Sequence, residues 1–147
     1  MTSLKDFSLE GKNAWVTGAT YGIGFNIAKA FHAAGIKNII FNDIDQEHVD
    51  RGLASYKEAG IENVHGYVCN VTDENAVEAL VKQIHEEVGQ IDILVNNAGI
   101  IKRIPMVEMS RKDFQQVIDI DLVGPFIVAK AVLPEMIERK EGKIINM

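Results

Sequence analysis

Hydrophobic residues fall into two kinds of cluster that alternate along the chain. Short runs rich in β-branched and aromatic residues are predicted to be buried strands: NAWVT at 13–17, NIIFN at 38–42, VHGYVC at 64–69, IDILV at 91–95 and KIINM at 143–147. The segments between them repeat their apolar residues at helical spacing. Ile23, Ile27, Phe31 and Ala34 mark a first helix, Val49, Leu53 and Tyr56 a second, and Val77, Leu80, Val81, Ile84 and Val88 a third. Thr72 is the candidate cap of the third helix, Asp73 and Glu74 suit its positive end, and Gly89 can close it. A fourth helix is predicted from Ser110, with Asp113 three residues on as in a capping box, and runs with interruptions to about Arg139. Pro125 has no amide hydrogen to donate and should kink or break it.

Strands and helices that alternate with short connections call for parallel strands joined by right-handed crossovers. The predicted fold is therefore α/β, a doubly wound parallel sheet with helices on both faces. Residues 1–147 read as one Rossmann-like domain, with no linker, repeat or shift of composition to mark a second.

In such a sheet a ligand sits beyond the carboxyl ends of the strands, where the winding reverses. This directs attention to VTGATYGIG at 16–24, between the first strand and the first helix. Gly18 can make the tight turn out of the strand, Gly22 can let the backbone approach a pyrophosphate, and Gly24 can let helix and strand pack closely. Free N–H groups at the helix start would then face the anion. The spacing lacks the Lys-Ser/Thr of a P-loop, so nucleoside triphosphate hydrolysis is not expected. The plain alternative is a tight turn that holds no ligand.

The second strand ends in FNDID, which puts Asp43 25 residues after Gly18. A carboxylate there can accept both ribose hydroxyl protons of an adenosine and would repel a 2′-phosphate. No Arg or Lys occupies the glycine loop or directly follows Asp43, which favours NAD and leaves NADP open. Alternatively, Asp43 only begins the turn and Asp45 caps the next helix.

Composition adds exclusions. Apolar residues make up 47% and charged residues 24%, as in ordinary globular proteins. Fifteen basic and 21 acidic side chains give a net charge of −6, which argues against nucleic acid or an anionic membrane as partner. Cys69, the single cysteine, cannot form an internal disulfide. The start, MTSLKDFSLEGK, has no apolar stretch of signal-peptide length, and no run approaches the roughly 18 residues of a membrane span, so a cytoplasmic address is expected. His32, His48, His65 and His85 lack metal-ligand spacing, so no metal is expected.

TGATYGIG at 17–24 resembles the T-G-x-x-x-G-I-G loop of the short-chain dehydrogenase/reductase family, and NNAG at 96–99 resembles its second signature, after the fourth strand. GYVCNVTDE, VNNAGIIKRIPMVEMS and VIDIDL are most similar to the gluconate 5-dehydrogenase branch. The resemblance covers the whole chain. It implies an NAD(P)-dependent oxidoreductase that interconverts a ketone and a secondary alcohol on a sugar acid.

It also implies roles for particular residues. Gly18, Thr20, Tyr21, Gly22, Ile23 and Gly24 would form the cofactor loop, Asn70 and Val71 would stand where the family carries Asp-Val against the adenine, and Asn97, Ala98 and Gly99 would lie along the ribose. Asn70 reads equally as a turn residue. Asp121 occupies the position of a family Asn that helps to hold a water near the catalytic Lys; otherwise it is a buried acid bonded to backbone. Arg103, in the loop after NNAG, is the candidate partner for a substrate carboxylate, unless it and Lys102 are merely solvated.

The family's catalytic Ser and Tyr-x-x-x-Lys lie after its fifth strand, where this sequence stops. Tyr21, Tyr56 and Tyr67 are followed at the fourth position by Phe25, Gly60 and Val71 rather than Lys. The expectation is a domain truncated after the fifth strand and inactive alone, a dinucleotide-binding fragment or module being the alternative to an enzyme. Sheet surface left open there, and the apolar residues Phe114, Val117, Phe126, Val132 and Met136 of the long helix through which relatives often pair, predict a homo-oligomer, the alternative for these residues being intramolecular core.

Overall fold

The computed structural model describes residues 7–147; Met1 to Asp6, the start of the segment read for a signal peptide, lie outside it. Eleven elements follow one another: β1 (Asn13–Thr17), α1 (Gly22–Ala33), β2 (Asn38–Asp43), α2 (Gln46–Glu58), β3 (Val64–Val68), α3 (Glu74–Glu87), β4 (Ile93–Asn96), α4 (Arg111–Ile118), a π-helical turn (Asp119–Val123), α5 (Gly124–Arg139) and β5 (Lys143–Asn146). The five strands form one sheet in the order β3-β2-β1-β4-β5, and every pairing is parallel. The chain winds outward from β1 to β3, then returns to the other side of β1 with β4. The switch point therefore lies between β1 and β4.

Strand side chains alternate between two cores. Ala14 and Val16 of β1, Ile39 and Phe41 of β2, and Ile93 and Val95 of β4 pack with Ala28 of α1 and with Val49 and Tyr56 of α2. Trp15, Ile40 and Leu94, one residue out of phase, pack with Val77, Leu80, Val81 and Ile84 of α3 and with Ile127, Val128, Val132 and Met136 of α5. Because helices cover both faces, the strands read as continuous apolar runs rather than as an alternation.

Local chemistry sets the element ends, with two differences from the sequence reading. Asp73, not Thr72, caps α3: its carboxylate accepts the Ala76 N–H at 3.1 Å, while the Thr72 hydroxyl donates to Asn70 Oδ1 at 2.9 Å. The break in the fourth helix falls ahead of Pro125. The Gly124 N–H reaches back five residues to the Asp119 carbonyl, and Pro125 takes the first turn of α5, where it needs no donor. Ser110 caps α4 as predicted, accepting the Asp113 N–H at 3.1 Å. Gly89 closes α3 with φ +116° and an N–H to the Ile84 carbonyl.

Candidate functional site

The C-terminal ends of the strands open onto a cleft of about 670 Å³, within the range of small-molecule and cofactor sites. Its wall includes Gly18, Tyr21, Gly22 and Ile23 after β1, Asn42, Asp43, Ile44 and His48 around the end of β2, and Cys69, Asn70, Val71 and Thr72 after β3. Across the switch point it continues through Asn97, Ala98, Gly99 and Ile100 to Gln116, Asp119 and Ile120.

The glycine loop owes its path to its missing side chains. Gly18 has φ +62°, and a Cβ there would lie 2.9 Å from Ala98 Cα. Gly24 is buried in α1 beneath Asn97, whose Nδ2 would stand 2.4 Å from an added Cβ. Gly22 differs: with φ +67°, its Cβ direction meets nothing within 4 Å. A side chain there would be strained by the backbone and would project into open space beside the cleft. No side chain caps α1, whereas Asp45, Asp73 and Ser110 cap α2, α3 and α4. The first N–H groups of α1 thus have no side-chain acceptor of the kind that serves α2, α3 and α4.

A clamp holds the loop against β4. The Thr17 hydroxyl oxygen accepts the N–H groups of Asn97 at 3.0 Å and Ala98 at 2.9 Å, while Asn97 Nδ2 donates to the carbonyls of Thr17 at 2.9 Å and Gly18 at 3.1 Å. Asn97 therefore positions the loop from behind. Thr20 is buried, and its hydroxyl donates to the His48 carbonyl at 3.2 Å, which ties the loop to α2.

Asp43 lines the cleft half-buried, its Oδ1 accepting the Ile44 N–H at 2.8 Å. Asp45 caps α2, so the two carboxylates are separated in role. The hydrogen bonds from the backbone and ring of His48 hold Asp45 below the ordinary carboxylate range. Asn70 reaches the cleft, but its Oδ1 is committed to the turn by the Thr72 N–H at 3.1 Å and hydroxyl at 2.9 Å. The oxygen that would meet an adenine is thus engaged, and the amide NH₂ is the group left to do so.

Asp121 lies in the π turn, exposed rather than buried, and its Oδ1 accepts the Ile100 N–H at 2.9 Å. It fastens the loop after β4 and is outside the cleft lining. Arg103 is exposed on that loop and is likewise outside the lining, while Lys102 pairs with Asp113 at 2.6 Å. Tyr56 and Tyr67 point away from any chemistry in the cleft. Their hydroxyls donate to the Ala19 carbonyl and to Glu87, and burial raises both above the ordinary phenol range. Tyr21 is exposed, with the Arg51 guanidinium 5.5 Å from its ring centroid.

Several residues of the site escape a reading of periodicity. Thr17 and Asn42 are polar yet buried at strand ends, and that placement inside apolar runs is the signal they offered. Asn42 accepts from Trp15 Nε1 at 3.0 Å and donates to the Cys69 carbonyl at 2.9 Å, bridging β1, β2 and the segment after β3. Asn96 donates to the carbonyl of Pro125 at 3.3 Å and to Asn146 at 2.8 Å. His48, Gln116 and Asp119 came to the cleft through folding alone.

A parallel sheet of this order, with a glycine-lined cleft at its switch point, defines a doubly wound, Rossmann-like α/β protein. The family model for short chain dehydrogenases matches residues 12–147, and the chain belongs to that family. It is 50% identical to the 2-dehydro-3-deoxy-D-gluconate 5-dehydrogenase of Formosa agariphila, covering 96% of this chain and 53% of that protein. It is 40% identical to the 5-keto-D-gluconate 5-reductase of Escherichia coli, covering 96% and 55%. Among solved structures, the 2-keto-3-deoxy-D-gluconate dehydrogenase of Streptococcus agalactiae matches with TM-score 0.83 and 65% identity over 96% of this chain and 53% of that one. The gluconate 5-dehydrogenase of Burkholderia cenocepacia, in complex with NADP and tartrate, matches with TM-score 0.85 and 35% identity over 96% and 55%. The chain spans about half the length of these relatives.

Proposed function

We propose that residues 1–147 form the dinucleotide-binding domain of an NAD(P)-dependent oxidoreductase acting at carbon 5 of a sugar acid. The observation that carries this reading is Gly22: its absent Cβ leaves open the space beside the uncapped start of α1, on a cleft that also holds Asp43. A diphosphate fits that space, with the adenosine toward Asp43 and Asn70 and the rest of the dinucleotide along Asn97, Ala98 and Gly99. The bound cofactor would supply hydride exchange with the substrate carbon. The chain's own part is to bind and orient it: Thr17 and Asn97 hold the loop, Gly18 permits contact with Ala98, and Asp43 selects at the ribose.

The substrate class rests on the relatives. A 5-dehydrogenase and a 5-reductase of gluconate derivatives share a C5 alcohol or ketone and a carboxylate. The gluconate/5-ketogluconate pair and 2-keto-3-deoxygluconate are the substrates to assay, with Arg103 as the proposed carboxylate partner in the enzyme as a whole. Asp121 is proposed to act through the loop it fastens.

A second reading, a dinucleotide-binding module without turnover, is favoured by one sequence fact: none of the three tyrosines has a Lys four residues on. Calorimetric titration with NAD and NADP tests the shared claim, and oxidation of NAD(P)H with 5-ketogluconate separates the readings. The 147-residue chain is expected to bind and not to turn over; turnover would show that no Tyr-x-x-x-Lys is needed. We further propose self-association through the exposed apolar residues of the α4–α5 region.

A further inference from the structure

Among the residues that line the cleft none is Lys or Arg, two are carboxylates, Asp43 and Asp119, and one, His48, can take up a positive charge. His48 stands in the first turn of α2, and its surroundings fix it from several sides. Its Nδ1 lies 2.7 Å from Asp45 Oδ1, the same oxygen that accepts its backbone N–H at 2.9 Å. Its carbonyl is held by the Thr20 hydroxyl. A carboxylate can only accept, so Nδ1 carries the hydrogen and the free nitrogen is Nε2. Nε2 accepts a hydrogen bond when the ring is neutral and donates one when the ring is protonated. Asp45, after β2, is its direct ionisable contact; Asp43 at the end of β2, Tyr21 of the glycine loop, Cys69 after β3 and Asp119 line the same cleft, and Glu47 and Arg51 lie near it along α2, Arg51 over the Tyr21 ring.

We propose that His48 sets the choice between NAD and NADP in this cleft. When neutral, its Nε2 accepts from a ribose hydroxyl alongside Asp43, and the Asp43 carboxylate turns a 2′-phosphate away. When protonated, it donates to that phosphate and offsets Asp43. The arrangement makes one cleft NAD-selective in alkaline solution and tolerant of NADP in acid. The proposal rests on the dinucleotide reading above.

The test is calorimetry of the 147-residue chain with NAD and with NADP at about pH 5.5 and about pH 8.5, either side of the range in which imidazole ordinarily changes charge. Acidification should move the preference toward NADP by about tenfold, the scale of one exposed charge-assisted hydrogen bond. The 2′-phosphate itself gains a proton over this range, so His48→Gln is the control, and there the movement should shrink below about threefold. His48→Lys, with a permanent charge, should hold the higher NADP affinity at both pH values. Circular dichroism confirms that each variant is folded. An equal pH response in His48→Gln, or no gain of NADP affinity in His48→Lys, overturns the proposal while leaving the dinucleotide reading intact. Failure of the unaltered chain to bind either dinucleotide at any pH overturns both.

Discussion

Thr17 joins two functions in one hydroxyl: it ends β1 and receives two N–H groups from the turn after β4. Thr17→Val keeps the shape and β-propensity but leaves both donors unpaired, at a cost of about 2 kcal/mol. Thr17→Ser should recover most of that, and urea denaturation of the three proteins checks both expectations. Gly18→Ala should lose at least about 1–2 kcal/mol from the left-handed backbone alone, with the contact at Ala98 adding to it. Cys69 shows the opposite character. Burial, with a smaller contribution from Asp73, pushes its thiol up to about 11. It should therefore resist a thiol reagent at neutral pH until the chain is unfolded, and rapid labelling of the native protein would contradict that environment. At this scale the glycines were legible because each answers a backbone demand that no other residue meets. Thr17, Asn42 and His48 were not, because the contacts that place them come from residues 27 to 81 positions away in the sequence.

Helix ends were readable where a side chain and its backbone target lie within one turn. Ser110 and Asp113 satisfy that condition, and so does Asp45. Thr72 and Asp73 compete for one helix start, and the outcome turns on Asn70, whose amide oxygen captures the Thr72 hydroxyl. Asp73→Ala should accordingly destabilise by about 1 kcal/mol, and Thr72→Ala by less. Carboxylates at these element ends also give stability a definite pH dependence. Asp113 is held below its ordinary value by the Lys102 ammonium and then by the Ser110 hydroxyl, and Asp45 by His48. A depressed carboxylate contributes fully above its unfolded value, near 3.9 for Asp, and the contribution drains as pH falls through the lower folded value. The contribution of these carboxylates to the urea midpoint should be constant above about pH 5 and drain below about pH 4, while His65, lowered by burial, adds a separate decline as pH falls through the ordinary imidazole range; a rise on acidification would contradict these pairings. The π turn was the least legible element. Pro125 signalled a break, but the extra residue is accommodated one turn earlier, where the Gly124 N–H can still find the Asp119 carbonyl.

For the molecule as a whole, the alternation of strand and helix dictated the doubly wound sheet, because each strand must be covered on both faces by the helices that connect it. What the pattern could not convey is which apolar residues stay outside. Phe114, Leu122, Phe126, Leu133 and Ile137 are exposed along the α4–α5 region, whereas Val132 and Met136, predicted with Phe114 and Phe126, are buried against α3 and the sheet. β5 forms one edge of the sheet, with Ile145 exposed. These exposed apolar residues are what the proposed self-association rests on. Sedimentation should find a self-associating species, and Phe126→Glu should shift it toward monomer; a stable monomer in the unaltered chain would contradict the proposed assembly. No helix among the described residues is long and apolar enough to cross a membrane.

The central claim is that a dinucleotide lays its diphosphate in the space left by Gly22. Calorimetric titration of NAD into the unaltered chain and into Gly22→Val tests it most directly, with circular dichroism to show that the variant keeps its fold. The account predicts binding by the first and at least about tenfold weaker binding by the second, a loss of about 1.4 kcal/mol. Equal affinity in the two proteins, or no binding by the unaltered chain, would contradict it.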